Sequence, residues 1–258
     1  MCNEYDAPGP EQLEAFFDVQ IPDDLPPWRT SQAPLTMGPY VKAGQLLQVG
    51  QWGMIPPGST TRIPTLQPRK TDPPGTKPKK LSTNNARNER MATAHTYRGA
   101  WKAGHRCLIP AWAYFEPYYG IGKKNIYWRL ERADGAPWAL AGLWSEWTDH
   151  ATGEVVPNFT MLTQNCDAHP LLKLLHKPEV DRQGNVLPPE EQDKRSVVPL
   201  ERADWDAWLH GTAEQAQRLI RLPTVEVFKH GPRDTRRRIV LDLATGEGKD
   251  LDVAGELF

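Results

Sequence analysis

The sequence predicts an α+β fold, mainly β, built on a curved, barrel-like antiparallel sheet with a few flanking helices. Three observations lead there. Short runs rich in aromatic and branched residues recur along the chain, few segments show helical spacing, and 25 Pro and 20 Gly in 258 residues punctuate the connections. With 39% hydrophobic residues the chain can bury a core, and its length suits one domain over residues 1–258.

Taken in order, residues 11–17 read as a short helix, followed by a passage holding Pro22, Pro26, Pro27 and Pro34. Residues 49–55 read as a buried strand stopped by Pro56. Pro and Gly break residues 57–80 too often for a regular element, so this stretch is expected to be a surface loop. Helical character begins after Asn85 and runs to Trp101. Strand-like runs follow at 106–110, 112–116 and 125–130. Another at 138–144 is apolar at nearly every position, as a central strand should be. Residues 159–163 suggest a short strand, and 167–175 a short helix with Pro170 in its first turn. A polar insertion spans 178–193, residues 202–208 read as a helix, and the tail from Val225 adds strands before an acidic end.

The formal net charge is −1, but the charges are unevenly distributed. Between Arg62 and Arg106, Arg69, Lys70, Lys77, Lys79, Lys80, Arg87, Arg90, Arg98 and Lys102 join the two end arginines against only Asp72 and Glu89. A basic stripe in a near-neutral protein suggests a polyanion groove, although for Lys77, Lys79 and Lys80 a solvated loop is the competing reading. Several of the ten tryptophans stand beside basic residues, which suits stacking surfaces, while most belong in a core. Three cysteines, at 2, 107 and 166, form neither a disulfide framework nor a paired zinc spacing. The expected setting is therefore reducing and cytoplasmic, with no metal or cofactor. No apolar leader and no run of membrane-spanning length occurs, so neither secretion nor insertion is expected.

Cys2 is the strongest chemical feature. Loss of Met1 would leave a 1,2-aminothiol whose α-amine has a pKa of roughly 7.7–8.0, against about 10.4 for lysine, so far more of it is nucleophilic at neutral pH. Such an amine condenses with an aldehyde, and the thiol beside it can close a five-membered thiazolidine ring at very high effective molarity. Ring-opened abasic deoxyribose exposes such an aldehyde. Taken alone, Cys2 also fits a small buried hydrophobe near an ordinary N-terminus.

Three further places add support. Residues 83–89, reading Thr-Asn-Asn-Ala-Arg-Asn-Glu, gather amides, a guanidinium and a carboxylate where a loop is expected to meet a helix. Glu116 closes an apolar run, where burial would raise its pKa and suit it to general acid or base work on the sugar. His176 stands just before Lys177-Pro178, at an expected helix end, and can move protons near neutral pH. Each also has a plainer reading, as an N-cap, a strand-end glutamate or a solvent-facing histidine. His169, directly before Pro170, reads as structural.

Together these residues resemble the SOS response-associated peptidase (SRAP) family of abasic-site processing proteins. The matching elements are Met1-Cys2, Trp52-Gly53-Met54-Ile55-Pro56, Asn85-Ala86-Arg87-Asn88-Glu89, the run from Arg106 to Ala111, Phe115-Glu116, Ala141-Gly142-Leu143-Trp144, and the segment ending in His176. They keep the family's order from residue 1 to about 208, leaving 209–258 as a C-terminal extension. The resemblance implies a mainly β fold with a positively charged groove, acting as a monomer on single-stranded DNA containing abasic sites, nucleoid-associated in a bacterial host. It implies Cys2, Asn85, Glu116 and His176 as the reacting set: Cys2 forms the cross-link, Asn85 holds the sugar and Cys2, Glu116 assists ring opening, and His176 transfers protons. It also implies Arg87, Trp52, Arg98 and Arg195 at the DNA, with N-terminal self-processing and an AP-lyase side reaction. The chain departs from the family at Asn3 and Glu4, where glycine then arginine is usual, and at the insertion that separates His176 from Arg195.

Two other classes of reading stay open from residues alone. One is a cysteine hydrolase acting on peptides in trans through Cys2, His176 and Glu116. The other is a non-catalytic single-strand binding module that holds DNA by tryptophans and arginines.

Overall fold

The computed structural model describes residues 2–121 and 124–251. In chain order its strands are β1 (Tyr5–Asp6), β2 (Ser31–Gln32), β3 (Met37–Lys42), β4 (Leu46–Trp52), β5 (Thr65–Leu66), β6 (Lys79–Lys80), β7 (Asn85–Arg87), β8 (Arg106–Ala111), β9 (Ala113–Tyr118), β10 (Ile126–Arg132), β11 (Trp138–Thr148), β12 (Val155–Asn165), β13 (Arg195–Val197), β14 (Pro199–Leu200), β15 (Phe228–Pro232), β16 (Ile239–Leu241) and β17 (Gly248–Asp250). The α-helices are α1 (Pro10–Phe17), α2 (Asn88–Met91), α3 (Arg98–Lys102), α4 (Trp205–His210) and α5 (Ala213–Arg218). Strands dominate and helices are few and short, which is the predicted class.

Five strands close into a barrel. β4 pairs with β3, β3 with β8, β8 with β11 and β11 with β12, all antiparallel. The ring shuts where β12 meets β4 through Asn158 opposite Gln51 and Phe159 opposite Trp52. This seam is parallel, a departure from the antiparallel expectation: no hairpin joins these two strands, so nothing forces them to reverse direction. Gly50 lets the seam close, because a Cβ there would stand 2.7 Å from the Pro157 carbonyl oxygen.

The second sheet runs β2-β1-β9-β10-β15 and is antiparallel throughout. Only Trp112 separates β8 from β9, so one stretch of chain passes from the barrel into this sheet. The N-terminal strand lies on β9 with Tyr5 opposite Tyr114. That register carries the residues before Tyr5 along β9 toward Glu116 and is what assembles the site.

Tyr5, Tyr40, Trp52, Tyr114, Trp128, Trp138 and Phe159, each at most 1% exposed, form an aromatic core shared by the two sheets. Tyr5 meets Trp52 edge-on at 5.0 Å between centroids. A second cluster packs Leu13 and Phe17 of α1, Met91 of α2, Trp101 of α3 and Trp208 of α4 against Val41, Leu108, Leu143 and Leu162 of the barrel. Six of the ten tryptophans are buried, so the core reading holds for most of them.

Several local expectations change. Asn85 lies on strand β7, parallel to β12 with Met161 opposite, rather than at the mouth of a helix. Helix forms only in the two short pieces α2 and α3. β11 and β12 are each eleven residues long, well beyond the apolar cores legible in sequence, because their hairpin continues past the ring with one face in water. The helix expected over 167–175 is only a 3₁₀ turn, Leu172–Leu174. There the His169 ring accepts from the Leu171 and Leu172 amides through Nδ1 and bonds the Pro223 carbonyl through Nε2, so His169 is structural, as read. The loop over 57–80 carries the small β5–β6 hairpin. The expected acidic end past residue 251, like Met1, lies outside the described residues.

Candidate functional site

Cys2 is wholly buried, at 0% exposure. Its carbonyl oxygen accepts from Asn85 Nδ2 at 2.7 Å and from Asn84 Nδ2 at 3.2 Å, while its thiol donates to the Glu4 carbonyl at 3.3 Å. Two amides thus fix the main chain at the residue whose amine and thiol would react. Asn84 was not among the expected site residues. Neighbouring side chains usually diverge in extended chain, and only the tertiary path, with Asn84 just ahead of β7, turns both toward Cys2. Asn85 is 8% exposed, and its Oδ1 is buried with no hydrogen-bond partner among the described residues. An unmatched buried acceptor beside Cys2 can take a hydrogen bond from an incoming donor.

Glu116, 1% exposed, sits on β9 opposite Trp128 with Oε2 3.3 Å from His176 Nε2. Burial raises its carboxyl from 4.5 to about 7. Burial also lowers His176 to about 3, with the Lys194 charge acting in the same direction. Near neutral pH the imidazole is therefore neutral, while the carboxyl is poised between acid and carboxylate. Burial first, and then the nearby Glu116 charge, pushes the Cys2 thiol well above its usual value, so it stands as a thiol and not a thiolate.

His176 is held in the left-handed region, φ 68°, where its backbone N–H donates to the Pro117 carbonyl at 2.6 Å. A histidine placed there against its backbone preference is fixed by its surroundings, here the bridge between Leu175 and Tyr118. The structure thus brings Cys2, Asn85, Glu116 and His176 together. Tyr114, fully buried one residue before Phe115, lines the same core with its hydroxyl 3.5 Å from Ser196 Oγ.

The four residues expected at DNA are placed differently. Arg87 is half exposed, and its guanidinium pairs with Asp193 of the polar insertion at 2.5 Å. Arg98 is exposed on α3, next to Tyr97, whose hydroxyl bonds the Asn85 carbonyl at 3.3 Å. Trp52 is fully buried, with its indole N–H on the Asn84 carbonyl, so it braces the site from within and offers no face to a base. Arg195 is 4% exposed and spends its charge on Glu89 at 2.7 Å, Asp193 at 2.9 Å and the Thr163 carbonyl at 3.0 Å. Within the basic stripe Arg106 is also buried, donating to the Trp208 and Gly211 carbonyls, whereas Arg69, Lys70, Lys77, Lys79, Lys80, Arg90 and Lys102 are exposed. Among the described residues no group of three His, Cys, Asp or Glu could hold a metal ion, and no helix is long and apolar enough to cross a membrane.

A family model described as SOS response associated peptidase (SRAP) matches residues 1–230. A crystal structure of a protein from Bordetella bronchiseptica is similar over 90% of this chain and 99% of its own, at 28% identity and a TM-score of 0.70. A protein from Bacteroides thetaiotaomicron matches 91% of this chain and 93% of its own at 15% identity, TM-score 0.64. A phage-related protein from Bordetella bronchiseptica does so over 91% and 95% at 18% identity, TM-score 0.56. The last two show likeness of fold. No curated protein matches the chain.

Proposed function

The chain belongs to the SOS response associated peptidase family, and on that premise we propose that it captures abasic sites in single-stranded DNA as a covalent adduct of Cys2. The observation that carries the reading is the buried meeting of Cys2, Asn85 and the Glu116–His176 pair at the end of β1.

The steps follow from that arrangement. Hydrolysis of the Met1–Cys2 peptide bond consumes one water and frees the Cys2 α-amine. Glu116, protonated in part near pH 7, donates to the ring oxygen of the deoxyribose as the sugar opens to its aldehyde, and the proton released by the anomeric hydroxyl restores the acid. The amine nitrogen attacks the aldehyde carbon and one of its protons passes to the new hydroxyl; that hydroxyl leaves as water with a proton from Glu116, and the nitrogen returns its remaining proton to the Glu116 carboxylate, giving a neutral Schiff base. Sγ then adds to the imine carbon, and its proton passes to the ring nitrogen, with neutral His176 as the carrier. Asn85 holds the Cys2 carbonyl through Nδ2 and offers Oδ1 to the sugar. β-Elimination from the same Schiff base would give an AP-lyase side reaction, and the first step is the self-processing peptidase activity. Arg87 and Arg98 serve as phosphate contacts, Arg87 by exchanging Asp193 for a phosphate.

Incubation with an abasic single-stranded oligonucleotide should give an adduct stable to denaturation, and Cys2→Ala should give none. An undiminished adduct with Cys2→Ala, or none with wild type whose Met1 is shown by intact mass to be gone, refutes the proposal.

A further inference from the structure

A cavity of about 180 Å³ opens beside Cys2, between the N-terminal segment and the chain that leads into β7. Asn3 forms one wall, and its side-chain oxygen accepts from Asn84 Nδ2 at 3.1 Å, the same amide group that bonds the Cys2 carbonyl. The cavity is therefore one residue from the proposed reaction centre. The rest of its lining is mainly apolar, from Pro34, Leu35, Leu81, Trp52 and Ile63, the last 41% exposed, with Ser82 and Asn84 adding polar groups. Gly53 keeps the floor open: at φ +143 only glycine is comfortable, and a Cβ there would stand 3.3 Å from Leu35 and 3.6 Å from Thr83 Oγ1.

Thr83 lines the cavity. It is 3% exposed, and its hydroxyl has no hydrogen-bond partner among the described residues. A buried hydroxyl is seldom left unmatched unless a ligand or water completes it. Lys80, exposed, contributes to the rim. The space is well above what a single water needs and admits one planar ring. Apolar walls, one unmatched hydroxyl and a cation at the rim describe a subsite for a flat heteroaromatic ring on a phosphodiester.

We propose that this cavity receives the nucleobase next to the captured sugar, with the base faces against Leu35 and Ile63, its polar edge on Thr83 Oγ1 and the adjoining phosphate near Lys80. The proposal rests on the abasic-site reading above and adds a flanking-base subsite to it.

The test uses the full-length protein and single-stranded oligonucleotides with one abasic site, whose neighbour on either side carries a base or is itself a stable tetrahydrofuran. Initial adduct rates are measured alongside anisotropy binding of oligonucleotides in which tetrahydrofuran also replaces the reactive sugar. Removing the base on one side should weaken binding and slow adduct formation at least about fivefold, since apolar contact with Leu35 and Ile63 and one hydrogen bond are lost. Thr83→Val, which keeps the shape, and Ile63→Ala should shrink that difference while leaving the rate on the base-free oligonucleotide near wild type. Equal rates and affinities with and without the flanking base on both sides overturn the subsite while leaving abasic-site capture standing. A Thr83→Val variant slowed alike on every oligonucleotide overturns it too, by assigning Thr83 a structural role. Absence of adduct with any oligonucleotide overturns the capture reading itself and the subsite with it.

Discussion

Replacing Glu116 by glutamine should change the shape of the pH–rate profile as well as its height. The carboxyl titrates at about 7 in the folded chain against 4.5 for a free glutamate, whereas an unperturbed α-amine has a reference value of ~7.8. Capture needs the carboxyl protonated and the amine unprotonated. At pH 7.4 each condition holds for roughly 0.3 of molecules, so about 0.08 satisfy both. At pH 9 the protonated carboxyl falls to ~0.01 while the amine is almost all free, so the competent fraction drops about ninefold. At pH 5.5 the amine limits it, and the fraction drops about seventeenfold. Wild type should therefore give a narrow bell near pH 7.4. His176, lowered to about 3, contributes no limb in this range. Glu116→Gln should be slower at pH 7.4, but its rate should keep rising to a plateau above pH 8.5. The assay is initial adduct formation on denaturing gels between pH 5.5 and 9. A wild-type profile without an alkaline limb, or the same limb in Glu116→Gln, refutes the assignment of Glu116 as the acid.

The same carboxyl governs stability. Because its folded pKa lies above the unfolded one, its proton stabilises the fold below pH 4.5, and that contribution is lost as pH rises toward 7, amounting to about 3 kcal/mol in all at 1.36 kcal/mol per pH unit. Thermal melts of Glu116→Gln should thus gain on wild type as pH climbs from 4.5 to 7 and hold a constant lead above it; a lead that shrinks over that window contradicts the burial argument. Arg195→Ala should cost about 3 kcal/mol in denaturant unfolding, because it removes a buried guanidinium from Glu89, Asp193 and the Thr163 carbonyl. A loss of DNA affinity with stability intact would instead make Arg195 a DNA contact. Gly50→Ala should cost about 1–3 kcal/mol, since its Cβ would press on the Pro157 carbonyl at the barrel seam; an unchanged melting temperature would show that the seam can spread.

The sequence by itself determined the class of fold and the rough position of most strands, and its family resemblance singled out Cys2, Asn85, Glu116 and His176 as candidates. The strands are local signals, apolar runs bounded by Pro and Gly, whereas the candidate site residues stood out only as an ordered set of motifs along the chain. Tertiary structure alone decided the rest. The full length of β11 and β12 depends on partners at both edges, and the parallel seam between β4 and β12 joins residues over a hundred positions apart. The 3₁₀ turn before His176 does not lengthen into a helix because Leu175 turns extended to bridge Tyr118 and His176 takes the left-handed region. The basic stripe was legible as charge, but its division into a buried brace at Arg106 and exposed cations on the surface was not. Nor could composition show Trp52 turned inward onto the Asn84 carbonyl, or Asp193 lying across Arg87 and Arg195. Charge and hydrophobicity are properties of single residues; burial and pairing belong to the surfaces that folding brings together. Cys2 joins the two: the sequence named it, and the register of β1 on β9 carried it to Glu116.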